Sequence, residues 1–201
     1  MRRLTAVLLL ATCLSIAAPR AFDYYVFSLS WSPEYCADGN GSDQCTGNRR
    51  YEFVVHGLWP QYERGGYPSN CAGNKQVPRS IIDEMLEIMP SAQLIRHEWQ
   101  KHGTCSGLAL KEYFQRAQDA YVLVKIPDRY KQPLKQVETT AADVRRDFIK
   151  ANPGFSFTVA CRGRFISEVR TCLDKKLQSR ACGTGVSDSC PRGTIILRPV
   201  R

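Results

Sequence analysis

The chain has 201 residues, of which 43% are hydrophobic and 23% are charged, and its formal net charge at pH 7 is +9. No apolar run reaches the roughly 18 residues that a membrane-spanning helix needs, so a soluble mature protein is expected. The length suffices for one substantial hydrophobic core. The basic charge favours a polyanionic partner such as nucleic acid, although many secreted proteins are basic without binding one.

The N-terminal segment, MRRLTAVLLLATCLSIAAPRA, places two arginines before an apolar run of about ten residues that is followed by small side chains. This order is typical of a secretory signal peptide. We therefore predict a signal peptide over residues 1–21, whose cleavage site stays open, and one mature domain over residues 22–201. The mature protein is expected to be secreted or periplasmic.

The chain contains nine cysteines, and Cys13 lies within the predicted signal peptide. The other eight are an even number, which in an exported chain predicts four disulfide bonds. Spacing alone does not separate the roughly 105 possible pairings. No C-x-x-C pair occurs, which argues against a zinc knuckle and against a thioredoxin-type redox site.

The first predicted element of the mature chain is a strand over residues 24–31, because YYVFSLSW alternates aromatic or apolar residues with small polar ones. A loop rich in Gly, Asn and Asp then leads to a second strand in YEFVVHGLWP. Alternation along that strand places Phe53 and Val55 on one face and Val54 and His56 on the other.

Helices are predicted in the middle of the chain and strands near its end. The helical segments are SIIDEMLEIM, IRHEWQKH, LKEYFQRAQDAYVLVKI and VRRDFIKAN, and the strand-like segments are FSFTVAC, RFISEVRTC and TIILRP. The strands and helices do not repeat as βαβ units. We therefore predict a single α+β domain with a central, mainly antiparallel sheet, several helices and four disulfides.

The mature chain has only three histidines, and two of them lie in HEWQKHGTC. A zinc helix places its two histidines four residues apart, whereas His97 and His102 are five apart and would diverge by about 140° on a helix. This spacing argues against a shared metal ion. Glu98 with His102, and His97 with Lys101, do share a helix face. The segment therefore predicts a group of acid/base and anion-binding side chains around one opening, with no metal.

Two segments, HGLWP and HEWQKHGTC, resemble the active-site segments of the T2 family of secreted ribonucleases. Their order, their separation of about forty residues, the SLSWSP strand and the late cysteines also agree with this family. The short signal and the compact chain favour a bacterial-type member. The resemblance implies a metal-independent endoribonuclease that cleaves single-stranded RNA through a 2′,3′-cyclic phosphate to 3′-phosphate ends. It also implies that RNA is the partner, that the protein is a monomer, and that neither a cofactor nor a membrane is involved.

RNA cleavage without a metal requires a base for the ribose 2′-OH, an acid for the departing 5′-oxygen and donors that stabilise the phosphorane. By resemblance, His102 is the expected base and His56 the expected acid, although the direction of these roles stays open. Lys101 and Glu98 are expected to stabilise the pentavalent intermediate, and His97 to bind the phosphate.

Contacts to the RNA bases are less well determined by the sequence. The resemblance implies Trp59 as a base contact, with Tyr62 as a second candidate. It also implies that Pro90, Ser91 and Gln93 contribute to a second base pocket. The sequence shows no obvious acidic residue that would read a base, so weak base selectivity is expected.

The resemblance also implies a cysteine pairing. Cys105 directly follows the second motif and is expected in a disulfide rather than as a nucleophile. The implied pairs are Cys36–Cys45, Cys71–Cys105, Cys161–Cys190 and Cys172–Cys182.

Simpler interpretations of the same residues remain. Lys101 could be an ordinary solvated side chain, Glu98 could merely pair with Lys101 or Arg96, and Trp59 could be buried. Trp99 is expected to belong to the core. At the level of function, the alternatives are a secreted cationic protein that binds RNA, heparin or another polyanion, and a zinc hydrolase, which the histidine spacing opposes.

Overall fold

The computed structural model describes residues 21–39 and 42–200, so the predicted signal peptide lies outside the described residues apart from Ala21. The described chain forms one α+β domain, as predicted. Its strands are β1 (Tyr24–Trp31), β2 (Phe53–Gln61), β3 (Val137–Thr139), β4 (Thr158–Arg162), β5 (Phe165–Leu173) and β6 (Ile195–Leu197). Its helices are α1 (Ser32–Tyr35), α2 (Asp43–Thr46), α3 (Arg79–Met85), α4 (Ala92–Lys101), α5 (Leu110–Leu123) and α6 (Ala141–Ala151). Within this part of the chain, no helix has both the length and the apolar character to cross a membrane.

All six strands belong to one sheet, in the order β2-β1-β5-β6-β3, with β4 paired to β5. Every pairing is antiparallel except that of β5 with β6, which is parallel. The prediction of a mainly antiparallel sheet is therefore confirmed. Alternate residues of β1, namely Tyr25, Phe27, Leu29 and Trp31, are buried in the main hydrophobic core.

The pairing of β1 with β2 contains a β-bulge. Ser28 lies opposite Gly57 while its neighbour Leu29 lies opposite Val55, so His56 is an extra residue in β2. A bulge bends the strand and redirects the side chains that follow it. Consequently both His56 and the position of Gly57 face away from the main core.

The sheet face opposite the main core carries polar and aromatic side chains along its three longest strands. Because side chains alternate along a strand, residues two apart share this face. The face carries Val26 and Ser28 from β1, Trp59 and Gln61 from β2, and Glu168 and Arg170 from β5.

Helix α4 lies beside this face and has well-defined ends. Ser91 caps its N-terminus by accepting a hydrogen bond from a backbone N–H of the first turn, and His102 is its C-terminal cap. A side chain at Gly103 would collide with the ring of Trp99, so glycine is required directly after the helix. Trp99 is buried, as predicted, and its indole N–H donates to the carbonyl of Asn74.

Four disulfide bonds are present, with the pairing that the resemblance implies. The Cys71–Cys105 bond joins the loop after β2 to the turn after α4. The Cys172–Cys182 bond joins β5 to the loop at residues 182–186 and packs against Val26 and Trp59 of the polar face. Cross-links of this kind stabilise a fold mainly by restricting the unfolded chain.

Candidate active site

The polar face of the sheet and helix α4 border a cleft of about 460 Å³. All five side chains that the sequence assigned to the chemistry line this cleft: His56, His97, Glu98, Lys101 and His102. The first comes from the sheet and the others from the end of α4, so two distant segments of the chain meet here.

His56 is held by a carboxylate from β5. Its Nδ1 lies 2.9 Å from Glu168 Oε1. Burial lowers the pKa of His56, but the hydrogen bond and charge of Glu168, supported by the charge of Glu98, outweigh this and leave the pKa above its usual value. The geometry therefore favours a protonated imidazole at this position.

The surroundings of His102 favour its neutral form, in contrast to those of His56. Burial, followed by the nearby positive charges of Lys101, His97 and His56, lowers the pKa of His102 to about 3. Its Nδ1 is buried without a hydrogen-bond partner among residues 21–39 and 42–200, so a second proton would have no acceptor on that side. His102 is consequently a neutral imidazole that can accept a proton.

Glu98 is almost completely buried and accepts a 2.7 Å hydrogen bond from the indole N–H of Trp59. Burial raises the pKa of Glu98 to about 7. A Cβ atom at position 57 would overlap both the Glu98 carboxylate and the Trp59 indole nitrogen, so Gly57 is required for this contact. The simpler interpretation, that Glu98 pairs with Lys101 or Arg96, does not agree with these contacts.

Lys101 supplies positive charge at the mouth of the cleft, where His97 also lies. Lys101 Nζ lies 5.9 Å from the ring centre of Tyr67, and in the described part of the chain it forms no ion pair with a carboxylate. His97 is exposed to solvent, and partial burial together with the charges of Lys101 and His56 lowers its pKa. An unpaired ammonium in a cleft is suited to binding an anion.

The cleft contains functional candidates that the sequence analysis missed. Tyr67 is 47% exposed, and its ring centre lies 5.6 Å from that of His102. Glu168 and Arg170 are two residues apart in β5 and form an ion pair. The charges of Glu168 and Arg170 at alternate positions of a predicted strand were a signal of a polar sheet face, whereas Tyr67 in a Gly-rich loop gave none.

Of the two aromatic residues predicted to contact RNA bases, one lies in the cleft and the other does not. Trp59 lies in the cleft between the two catalytic candidates, with ring-centre distances of 5.0 Å to His56 and 5.6 Å to His102. Tyr62 lies beyond the end of β2, where its ring packs against the main core and borders a different cavity. It is therefore not placed to contact a base in the cleft.

Of the three residues predicted for a second base pocket, only Ser91 borders a cavity next to the cleft. This cavity, of about 170 Å³, also includes Tyr35, Gln44 and Leu94, and it reaches His56 and Glu168. Pro90 is buried and Gln93 is exposed, and neither lines the cavity.

The sequence profile of the Ribonuclease T2 family matches residues 22–182 of the chain. The chain belongs to the ribonuclease T2 family. A protein named "Ribonuclease" from Aeromonas hydrophila is 38% identical over 195 residues, which cover 90% of this chain and 87% of that protein. "Ribonuclease 1" from Arabidopsis thaliana is 30% identical over 203 residues, and the aligned region covers 85% of this chain and 80% of the Arabidopsis protein.

Solved structures agree with this assignment. RNase NT, solved in complex with 5′-AMP, superposes with a TM-score of 0.69 at 26% identity and covers 90% of this chain and 100% of its own. An RNase-related protein from Calystegia sepium shares the fold with a TM-score of 0.73 at 24% identity, covering 90% of this chain and 99% of its own. This member of the ribonuclease T2 family is accordingly a T2-type endoribonuclease.

Proposed function

We propose that this ribonuclease cleaves single-stranded RNA without a metal, using His102 as the general base and His56 as the general acid. The observation that carries the proposal is that both imidazoles flank the same Trp59 ring in one cleft while their surroundings favour opposite protonation states. A pair of groups with divergent pKa values in one site is the usual arrangement for acid/base catalysis.

In the first step, neutral His102 takes the proton of the ribose 2′-OH, and the 2′-oxygen attacks the adjacent phosphorus. The bond from phosphorus to the 5′-oxygen breaks, and His56 donates its proton to that oxygen. The products are a 2′,3′-cyclic phosphate and a free 5′-OH. In the second step the roles reverse: His56 takes a proton from water, and the water oxygen attacks the phosphorus of the cyclic phosphate. The bond from phosphorus to the 2′-oxygen breaks, His102 returns its proton to that oxygen, and a 3′-phosphate remains.

Charge that develops on the phosphorane is stabilised from α4. Lys101 contributes a positive charge and forms no ion pair with a carboxylate among residues 21–39 and 42–200. Because the pKa of Glu98 is raised to about 7, this carboxyl group carries a proton in mild acid and can donate a hydrogen bond to a phosphoryl oxygen. His97, at the mouth of the cleft, binds the phosphate.

The two cavities are suited to the two nucleotides that flank the cleaved bond. Tyr67 and Trp59 border the cleft and offer aromatic surface to the base on the 2′-OH side. The cavity that contains Ser91 reaches His56, the group that protonates the 5′-oxygen, so it takes the leaving nucleotide. Aromatic stacking accepts every base, which supports weak base selectivity.

Replacing Tyr67 with alanine is expected to raise KM for RNA about tenfold, because loss of base stacking costs about 1–3 kcal/mol. Tyr67→Phe keeps the ring and should behave like the unmodified enzyme. Tyr51→Ala, which removes an aromatic ring far from the cleft, is the matched control. Steady-state kinetics on a homopolymeric RNA measures the effect, and an unchanged KM in Tyr67→Ala would remove Tyr67 from the base site.

We further propose that residues 1–21 direct export and that the mature enzyme acts as a monomer in the periplasm or medium. Four disulfides support an oxidising compartment.

The proposed function is tested by digesting single-stranded RNA and a DNA of matched sequence in excess EDTA, with product ends identified by mass spectrometry. RNA should be cut to 2′,3′-cyclic and then 3′-phosphate ends, and DNA should stay intact because it lacks the 2′-OH. A requirement for added metal would contradict the mechanism. Binding of RNA without cleavage by the oxidised protein, at mildly acidic to neutral pH, would favour a cationic polyanion-binding protein.

A further inference from the structure

Glu168 lies below the catalytic cleft with its side chain 14% exposed, and both of its oxygen atoms are engaged. Oε1 accepts a hydrogen bond from His56 Nδ1–H at 2.9 Å. Oε2 accepts from the hydroxyl of Ser28 at 3.0 Å and from the guanidinium of Arg170 at 2.6 Å. The carboxylate is thus fixed by partners on β1, β2 and β5.

We propose that Glu168 is a positioning residue for His56: it fixes the orientation of the ring and places a negative charge beside the imidazolium, while Arg170 holds and moderates that charge. The inference rests on the proposed role of His56 as the general acid. Glu168 does not itself reach the reacting atoms in this proposal.

Sheet register explains how a residue 112 positions away comes to lie next to His56. Strand β1 runs between β2 and β5, and Ser30 lies opposite Glu168 while Ser28 lies opposite Arg170. The Glu168 side chain therefore reaches across β1, over the small side chain of Ser28, to the bulged residue of β2. A larger residue at position 28 would occupy this path.

The hydrogen bond determines which ring nitrogen of His56 is available for chemistry. A carboxylate only accepts hydrogen bonds, so Nδ1 carries a hydrogen and Nε2 is left for the substrate. In a mobile histidine both ring orientations and both tautomers would be populated. The contact removes this freedom, which is the preorganisation that proton transfer within hydrogen-bond distance requires.

The same contact also sets the charge around His56. Burial raises the pKa of Glu168, but the hydrogen bond and charge of His56 and the charge of Arg170 reverse this and lower it to about 2, so the carboxylate is ionised throughout mildly acidic pH. The other groups around His56 are Glu98, which raises its pKa, and Arg170, which lowers it. His97 and His102 face it from the side of α4.

Glu168 therefore raises the pKa of His56 and Arg170 lowers it. Substitutions at the two positions should separate these two effects. Glu168→Gln keeps the size and a hydrogen-bond acceptor but removes the charge, so His56 should lose its proton at lower pH. Arg170→Met removes the opposing charge, so His56 should lose its proton at higher pH. A merely structural role would lower activity at every pH without moving the titration in opposite directions.

The test combines two measurements on the full mature enzyme. NMR titration follows the ring protons of only three histidines, which His56→Gln assigns. The rate profile from pH 4 to 9 on a dinucleoside phosphate gives the alkaline limb that the general acid controls. Glu168→Asp, which keeps the charge, should restore part of the loss, and Glu138→Gln, an exposed carboxylate on β3, is the matched control.

For Glu168→Gln we expect both the His56 titration and the alkaline limb to move to lower pH, with kcat falling about tenfold per pH unit above the new limb. Arg170→Met should move both to higher pH. An unchanged His56 titration in Glu168→Gln, with the other two histidines as in the unmodified enzyme, would overturn the inference. A His56 titration that moves while the alkaline limb does not would overturn the catalytic part and show separately that His56 is not the general acid.

Discussion

Replacing His102 with alanine is expected to lower kcat on RNA by about 10³- to 10⁴-fold, at the upper end of what a general base contributes. The expected loss is large because no other described group in the cleft is neutral, basic and next to Trp59 on the α4 side. His56→Ala should cause a loss of similar size through the leaving group. Steady-state rates on a dinucleoside phosphate measure both.

The effects of the two substitutions can be distinguished with a substrate whose leaving group needs no proton. A nucleoside 3′-(p-nitrophenyl phosphate) expels p-nitrophenolate, which is stable as an anion near neutral pH. His56→Ala should therefore recover most of its activity on this substrate, whereas His102→Ala should not. The reverse pattern would exchange the acid and base roles of the two histidines. An equal loss of activity in both variants on this substrate would contradict the assignment of separate acid and base roles.

The pH dependence of kcat/KM follows from the same two groups, because this parameter reports the free enzyme. Activity requires neutral His102, which loses its second proton above about pH 3. It also requires protonated His56, whose pKa is raised from its ordinary value by Glu168. Glu98 loses its proton near pH 7. A broad profile that falls on the alkaline side is expected, and a rate that still climbs at pH 9 would contradict it.

Replacing Lys101 with alanine is the second large effect, an expected loss of about 10²- to 10³-fold in kcat with little change in KM. The phosphodiester carries one negative charge and the phosphorane carries more, so an unpaired ammonium binds the transition state more strongly than the ground state. Lys101→Arg keeps the charge and should retain part of the activity.

Lys150→Ala removes an equal charge from an exposed position on α6 and is the control for the net charge of the molecule. It should leave kcat unchanged and lower RNA affinity slightly at low salt. If Lys101→Ala raised KM and left kcat intact, Lys101 would be a ground-state phosphate contact only.

Local patterns in the sequence were sufficient to predict which polar side chains of α4 lie on the same side of the helix. Helical spacing predicts that Glu98, Lys101 and His102 share one side of a helix, and the structure places them around one cleft. Strand alternation likewise predicts that His56 faces away from Phe53 and Val55, as observed.

The residues that the sequence did not reveal owe their position to long-range pairing. Glu168 meets His56 only because β1 lies between β2 and β5, and strand order is not encoded in any local pattern. Tyr67 contacts His102 from the loop after β2, which a disulfide between cysteines 34 residues apart ties to the end of α4. For the same reason the parallel pairing of β5 with β6 was not predicted, since it joins segments that a long connection separates.

The bulge at His56 makes the number of residues in β2 as important as their identity. Upstream of the bulge even-numbered positions face the cleft, and downstream of it odd-numbered positions such as Trp59 do. Deleting one residue at the bulge would restore an uninterrupted ladder in which a single residue replaces His56 and Gly57 on this face, so either the imidazole or the space that Gly57 leaves for Glu98 and Trp59 would be lost. The interval from Val54 to Trp59 should therefore tolerate no insertion or deletion.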